Sequence, residues 1–283
     1  MRHPILIPVL LAGVSGLSAC AEKPGDKAVE RAFQDVNVID ESGLSDVMLT
    51  VAAPDEAVAY FAKAVEANPD RIDLQRDLAK SLIRARRNTE AAAAWKRVTG
   101  MEGATLDDRV ELADAQIRAG QWEQAKATLD SIPPTHETYK RYRLEAMVAD
   151  WKKDWKRADS FYEIAAGLTT RPAGVLNNWG YSKLTRGDYA GAERLFTEAI
   201  RQDSTLFTAK NNLVLARGAQ RNYSLPVIPL RQTERAKLLY TLALTAIKQG
   251  DVEIGKGLLR EAIETHPQHF EEAVRSLRAL EAA

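Results

Sequence analysis

The densest candidate for chemistry lies near the C-terminus. Gly250-Asp251-Val252-Glu253-Ile254-Gly255-Lys256 satisfies the first part of a phosphate-cradling loop: glycine, four residues, then Gly-Lys. Such a loop then needs a serine or threonine to hold magnesium, and the next residue is Gly257. It also needs a preceding strand, whereas Leu238 to Lys248 has helical apolar spacing. His266 and His269 are three residues apart, a spacing that binds metal on a helix. Pro267 lies between them, and no cysteine or third histidine is near, so they read as solvated helix-start residues. No Gly-x-Ser-x-Gly, His-Glu-x-x-His or zinc spacing occurs. Paired carboxylates such as Asp107-Asp108 and Glu271-Glu272 sit at expected helix starts, where they complement the helix dipole. The residues therefore imply no enzyme, no metal site and no cofactor.

Composition narrows the partners. Lys+Arg and Asp+Glu are both 39, so there is no basic excess to recruit nucleic acid. Hydrophobic residues are 45% and charged residues 28%, which is ordinary globular usage. Aromatics are only 7% and alanine is abundant, which favours helices packed through small side chains. The one cysteine, Cys20, makes neither an internal disulfide nor a cysteine zinc cluster.

The surroundings of Cys20 give it a meaning. Met1-Arg2-His3 is a short basic start, and Ile5 to Leu17 is mostly apolar, broken by Pro8, Gly13 and Gly16. This is a signal-peptide hydrophobic region, too short to span a bilayer comfortably. It ends in Leu17-Ser18-Ala19-Cys20, which resembles the lipobox of bacterial lipoproteins. The resemblance implies a diacylglyceryl group on the Cys20 thiol, cleavage before Cys20 and acylation of the new amino group. The alternative is an ordinary secretory signal in which the cysteine falls by chance. One acyl chain holds a protein only marginally, whereas two or three hold it stably. In Gram-negative lipoproteins an aspartate after the cysteine favours the inner membrane. Ala21 therefore resembles an outer-membrane sorting signal, with the protein on the periplasmic face. Residues 1–19 are thus expected to be a signal peptide and 20–37 a polar tether after the lipidated cysteine.

The elements that must position any site are set by a period. A small residue is followed four positions later by a large apolar one at Ala57, Ala91, Ala125, Ala158, Ala192 and Gly255. The spacings are 34, 34, 33, 34 and 63 residues. Turn signals precede these positions: Arg87-Asn88, Gly120-Gln121-Trp122, Lys153-Asp154-Trp155, Gly187-Asp188-Tyr189 and Gly250-Asp251-Val252. This pattern resembles the tetratricopeptide-repeat (TPR) family, in which two antiparallel helices of ~12–15 residues form each unit and units stack into a solenoid. The expected fold is all-α: a TPR helical-hairpin solenoid over 38–283, of about six repeats with one incomplete. The tail from Phe270 to Leu280 reads as a capping helix. The incomplete repeat starts with a helix from Phe207 to Arg221. Pro226 and Pro229 then forbid a second helix, leaving an interruption at 224–233 before a full repeat resumes near Ala236.

In TPR proteins the first helices of successive repeats line a groove, where asparagine, lysine and arginine hold partner peptides. The resemblance places Asn177 and Asn211 in one slot, 34 residues apart, with Asn178 and Asn212 beside them. Lys210 and Arg143 fall on nearby slots, and Arg76, Lys80 and Arg84 make a basic stripe. A carboxamide both donates and accepts, so it suits a peptide backbone, but it equally suits the neighbouring helix. The stripe equally fits an ordinary solvated face. The segment Leu225–Leu230 either plugs the groove or offers a docking surface.

The order of lipobox, Val36-Asn37-Val38-Ile39-Asp40-Glu41-Ser42-Gly43-Leu44-Ser45-Asp46, Asp55-Glu56-Ala57-Val58-Ala59-Tyr60-Phe61 and repeats resembles a particular family. It is similar to the TPR lipoproteins of Flp (tight adherence) pilus assembly, the TadD type. That resemblance implies a scaffold helping the outer-membrane secretin, or another pilus assembly component, to localise or multimerise. A TPR lipoprotein adaptor for outer-membrane protein assembly or peptidoglycan hydrolases is the alternative.

Overall fold

The computed structural model describes residues 43–282, so Cys20, the signal segment and the tether lie outside the described residues. The described part holds helices and turns, with no strand among the described residues. The helices are α1 (43–50), α2 (Pro54–Ala67), α3 (Ile72–Arg84), α4 (Asn88–Val98), α5 (Leu106–Arg118), α6 (Trp122–Asp130) and α7 (Tyr139–Trp151). They continue with α8 (Trp155–Gly167), α9 (Ala173–Thr185), α10 (Tyr189–Gln202), α11 (Phe207–Ala219), α12 (Gln232–Lys248), α13 (Val252–Thr265) and α14 (Glu271–Glu281). Consecutive helices pair as α3/α4, α5/α6, α7/α8, α9/α10 and α12/α13, and each packs on the next, while α2 packs on α3 and α1 adds Met48 to the first buried cluster. The protein is an all-helical TPR solenoid, with α14 packed on α13 as its end. No helix among the described residues is long and apolar enough to cross a membrane.

The repeated small-large pair builds this solenoid. Ala57, Ala91, Ala125, Ala158 and Ala192 are fully buried where paired helices approach most closely. Phe61, Trp95, Leu129, Tyr162, Phe196 and Leu259, one turn later, are at most 2% exposed and fill the space beside them. Burial of each such side chain contributes about 1.5–3 kcal/mol. The buried clusters run from α1 to α14, and each draws on a helix that also serves the next: α5, α7, α9, α11 and α12 in turn.

A second period lies in the backbone. Each hairpin turn from α3 onward contains one left-handed residue: Arg86, Gly120, Lys153, Gly187, Arg221 and Gly250, with φ between 58° and 87°. The last residues of the first helix thereby satisfy their carbonyls, as in Arg87 N–H to Leu82 O and Asp188 N–H to Lys183 O, both 2.9 Å. At Lys153 a side chain stands where glycine is cheaper by roughly 1 kcal/mol. Lys153 is exposed. Lys153→Gly is expected to raise the melting temperature, and an unchanged or lower value would show that the turn is relaxed.

Gly250–Lys256, the phosphate-loop mimic, is such a turn and the start of α13. A Cβ on Gly255 would lie 2.4 Å from Ile247 Cγ1, so that glycine is the small packing position. The Asp251 carboxylate accepts from Arg221 (3.0 Å) and from the Tyr223 hydroxyl (2.6 Å). His266 Nδ1 lies 2.9 Å from Gln268 O, and His269 Nε2 lies 2.8 Å from Glu271.

The incomplete repeat takes a definite form. Helix α11 ends in the same left-handed turn as the others, at Arg221, and a strap then runs to Arg231. Helix α12 begins at Gln232, four residues before Ala236, because Glu234 accepts from the Arg231 N–H (3.0 Å) and caps it early. Ile228 packs on the α9–α11 cluster, while Leu225 and Leu230 pack on the cluster of Val214, Leu238 and Leu242 from α11 and α12. The strap thus occupies the place of the missing second helix.

Candidate functional site

The first helices from α7 to α12 leave a long groove between them. Two adjoining hollows of about 480 and 800 Å³ share Tyr181 and Thr185. Their linings fall into rows that repeat with the fold. Met147, Tyr181, Leu215 and Leu244 form one row, at steps of 34, 34 and 29 residues. Trp151, Thr185, Ala219 and Lys248 form a second row with the same steps, and Asn178, Asn212 and Thr241 a third. Trp122, Trp155 and Tyr189, the first residues of α6, α8 and α10, close the floor. No strap residue lines either hollow, so the strap does not plug the groove.

One end of the groove is strongly aromatic. Trp122 and Trp151 stack with ring centroids 5.9 Å apart and planes 8° apart. Trp151 is 40% exposed and Tyr181 54% exposed, high values for such large apolar rings. Asp150 lies among these rings and accepts from Ser182 Oγ (2.6 Å) and the Tyr162 hydroxyl (2.8 Å). Burial pushes the Asp150 carboxyl above its ordinary value, against the lowering effect of those two hydrogen bonds. Burial and the neighbouring Asp150 charge push the Tyr162 hydroxyl far above its ordinary value, so it remains a donor.

The asparagines divide between the groove and the neighbouring helix. Asn177, Asn178 and Asn212 border the aromatic hollow. Asn177 Oδ1 accepts from Asn212 Nδ2 (3.0 Å), joining α9 to α11. Asn211 Oδ1 accepts from Thr241 Oγ1 (2.8 Å), joining α11 to α12, and is not in the lining.

The basic candidates stand elsewhere. Lys210 is 2% exposed and buried beneath the strap, where its Nζ donates to Pro229 O (2.8 Å) and Glu234 (3.0 Å). It therefore offers no groove surface, which corrects its placement on a partner-facing slot. Arg143 rests over the Tyr139 ring, 5.7 Å from its centroid, outside both hollows. The basic stripe on α3 is mostly committed within the chain. Arg76 pairs with Asp108 (2.7 Å), which itself completes the capping box that Thr105 opens on α5. Lys80 pairs with Asp77 (2.9 Å). Arg84 donates to the carbonyls of Met48 (2.9 Å), Leu49 (2.6 Å) and Ala52, closing the end of α1. Only Lys80 keeps its head at the surface, half exposed.

Comparison with known proteins agrees with this architecture. A tetratricopeptide-repeat family model matches residues 110–133, which span most of α5, its turn and α6. Among curated proteins none is significantly similar to the chain in sequence. Among solved structures, the APC/C hetero-tetramer Cut9–Hcn1 is similar at a TM-score of 0.59 and 13% identity, over 83% of this chain and 48% of that one. This chain thus spans about half the length of that relative. A tetratricopeptide-repeat protein from Parabacteroides merdae is similar at a TM-score of 0.53 and 13% identity, over 90% of this chain and 98% of that one. Human IFIT1 follows at 0.54 and 15%, over 80% and 59%. At these identities the likeness concerns the fold. The chain has the fold of a solenoid of TPR-like helical hairpins.

Proposed function

We propose that this protein is a scaffold that holds a segment of another protein in the groove along α7 to α12. The carrying observation is the aromatic end of that groove, where Trp151 and Tyr181 leave large ring surfaces in water. Such clusters in a rigid wall are where binding energy concentrates. We further propose that Cys20 is lipidated and holds the scaffold on the periplasmic face of the outer membrane. The support is Leu17-Ser18-Ala19-Cys20 after an apolar run, with Ala21 following. The resemblance to the TadD type then assigns the work to Flp (tight adherence) pilus assembly, with the secretin as partner.

The test is site-specific cross-linking in cells. A photoreactive phenylalanine at position 181 is expected to give an adduct containing the secretin, and one at exposed Ile254 on α13 none. Tyr181→Ala is expected to weaken the interaction by about 10- to 30-fold. An adduct with a different envelope protein would overturn the pilus assignment and leave the scaffold. Adducts from position 254 alone would overturn the groove. For the anchor, Cys20→Ser is expected to release the protein from outer-membrane fractions; continued sedimentation with them would refute lipid anchoring.

A further inference from the structure

Asp150 is the one carboxylate in the aromatic end of the groove. Its two oxygens accept from Ser182 and Tyr162, which are neutral donors. Among the described residues it has no ion-pair partner. Arg186, a nearby cation, is held by Asp159 at 2.6 and 2.7 Å and lies over the Trp155 ring. The Asp150 charge therefore lies half-buried at a hollow lined by Trp151, Trp155 and Tyr162, with no cation bonded to it and Arg186 acting on it only at a distance. A charge compensated only by neutral donors and a distant cation is costly in such a place, and a cation entering the hollow relieves that cost. The aromatic faces favour the same visitor, because each carries a negative π-surface: Trp151 already draws the Lys152 ammonium to 5.8 Å from its centroid, a contact that an incoming guanidinium would replace.

We infer that this end of the groove is a receptor for an arginine side chain of the partner segment, with Asp150 as its counter-charge and Trp151 as its stacking face. The inference rests on the groove reading above and adds the chemistry of the anchor residue. Arginine fits better than lysine, since a planar guanidinium stacks on a ring and meets a carboxylate at once. The raised carboxyl of Asp150 agrees with a charge awaiting a partner. The same geometry disfavours an acidic segment, whose carboxylates would meet Asp150 in a poorly solvated hollow.

The experiment uses the purified chain and two probes, N-acetyl-arginine methylamide and N-acetyl-norleucine methylamide. Binding is followed through the indole N–H resonances of Trp122, Trp151 and Trp155. The arginine probe is expected to saturate at least about 10-fold more tightly than the norleucine probe. Asp150→Asn keeps one acceptor oxygen for one of the two hydroxyls, the other turning to accept from the new amide N–H, and is expected to abolish that preference while the norleucine affinity stays. Trp151→Ala is expected to weaken the arginine probe several-fold with the fold intact. Equal binding of the two probes, or an arginine preference that survives in Asp150→Asn, overturns the inference. If position 181 still cross-links a partner in that case, the groove reading stands and the cation receptor alone fails. No saturable binding of either probe overturns the receptor as well.

Discussion

Lys210→Met is expected to destabilise the protein by about 3–5 kcal/mol, the cost of breaking a buried ion pair from one side. Lys210 and Glu234 are both nearly sealed from solvent, and the Lys210 Nζ also holds the Pro229 carbonyl. This one ammonium therefore joins α11, the strap and the start of α12. Methionine keeps the stem and removes the charge. It leaves the Glu234 carboxylate with the Arg231 N–H and the largely exposed Arg231 guanidinium. Hydrogen exchange in α11 and α12 should accelerate before exchange in α3 to α6, because solenoid contacts pass only between neighbours. Replacing both members, as Lys210→Met with Glu234→Leu, should recover most of the loss. A single-variant loss below about 1 kcal/mol would show that packing of Leu225, Ile228 and Leu230 alone holds the strap.

The same pair gives the stability a pH dependence. Burial by itself pushes the Glu234 carboxyl up, but hydrogen bonds from the Arg231 N–H, Lys210 and the Arg231 guanidinium outweigh it and pull it down to about 2. The folded value lies below the ordinary one, so the contribution is complete above about pH 5 and is lost as pH falls towards 2. The gap in stability between wild type and Glu234→Gln should therefore narrow steadily over that range. A constant gap would mean that Glu234 holds the strap by shape and not by charge.

The sequence revealed the solenoid because its signal is redundant. Each repeat states the small residue, the large residue one turn later and the turn before them, so one weak copy does not hide the period. The left-handed turn was legible at Gly120, Gly187 and Gly250 but hidden at Arg86, Lys153 and Arg221, where the chain accepts strain with no telling residue. The recurring slot of Asn177 and Asn211 pointed to the right helices, but Asn211 bonds Thr241 while Asn177, Asn178 and Asn212 border the hollow, because register alone does not choose between the groove and the neighbouring helix. Lys210 was misread for a physical reason: the missing second helix lets the strap fold over it, and register alone does not show what covers a side chain. The aromatic floor carried a signal that spacing could have found. Trp122, Trp155 and Tyr189 recur at 33 and 34 residues, directly after the turns. Met147, Tyr181 and Leu215 share a slot as well, but their types differ, so only projection onto the repeat joins them. Asp150 was hidden because its meaning comes from rings of α8 as well as from its neighbour Trp151.

Gly180→Val is expected to cost about 3 kcal/mol and to damage the groove as well, because one side of α9 packs and the other lines the groove. A Cβ at Gly180 would lie 2.6, 2.8 and 3.1 Å from three ring atoms of Phe196. Phe196 is fully buried, so the ring has nowhere to swing. Helix α9 must then move away from α10, carrying Asn177 and Tyr181 out of line with Met147 and Leu215. Gly180→Ala should cost less, since alanine regains about 1 kcal/mol of helix propensity over glycine. Phe196→Leu shortens the opposing side chain, so the double variant Gly180→Ala with Phe196→Leu should be more stable than the two single losses add up to. Its cross-linking from position 181 should recover in step with its melting temperature. Strict additivity would separate the two residues, and would place the tolerance for a larger side chain in the backbone of α9 instead of the Phe196 ring.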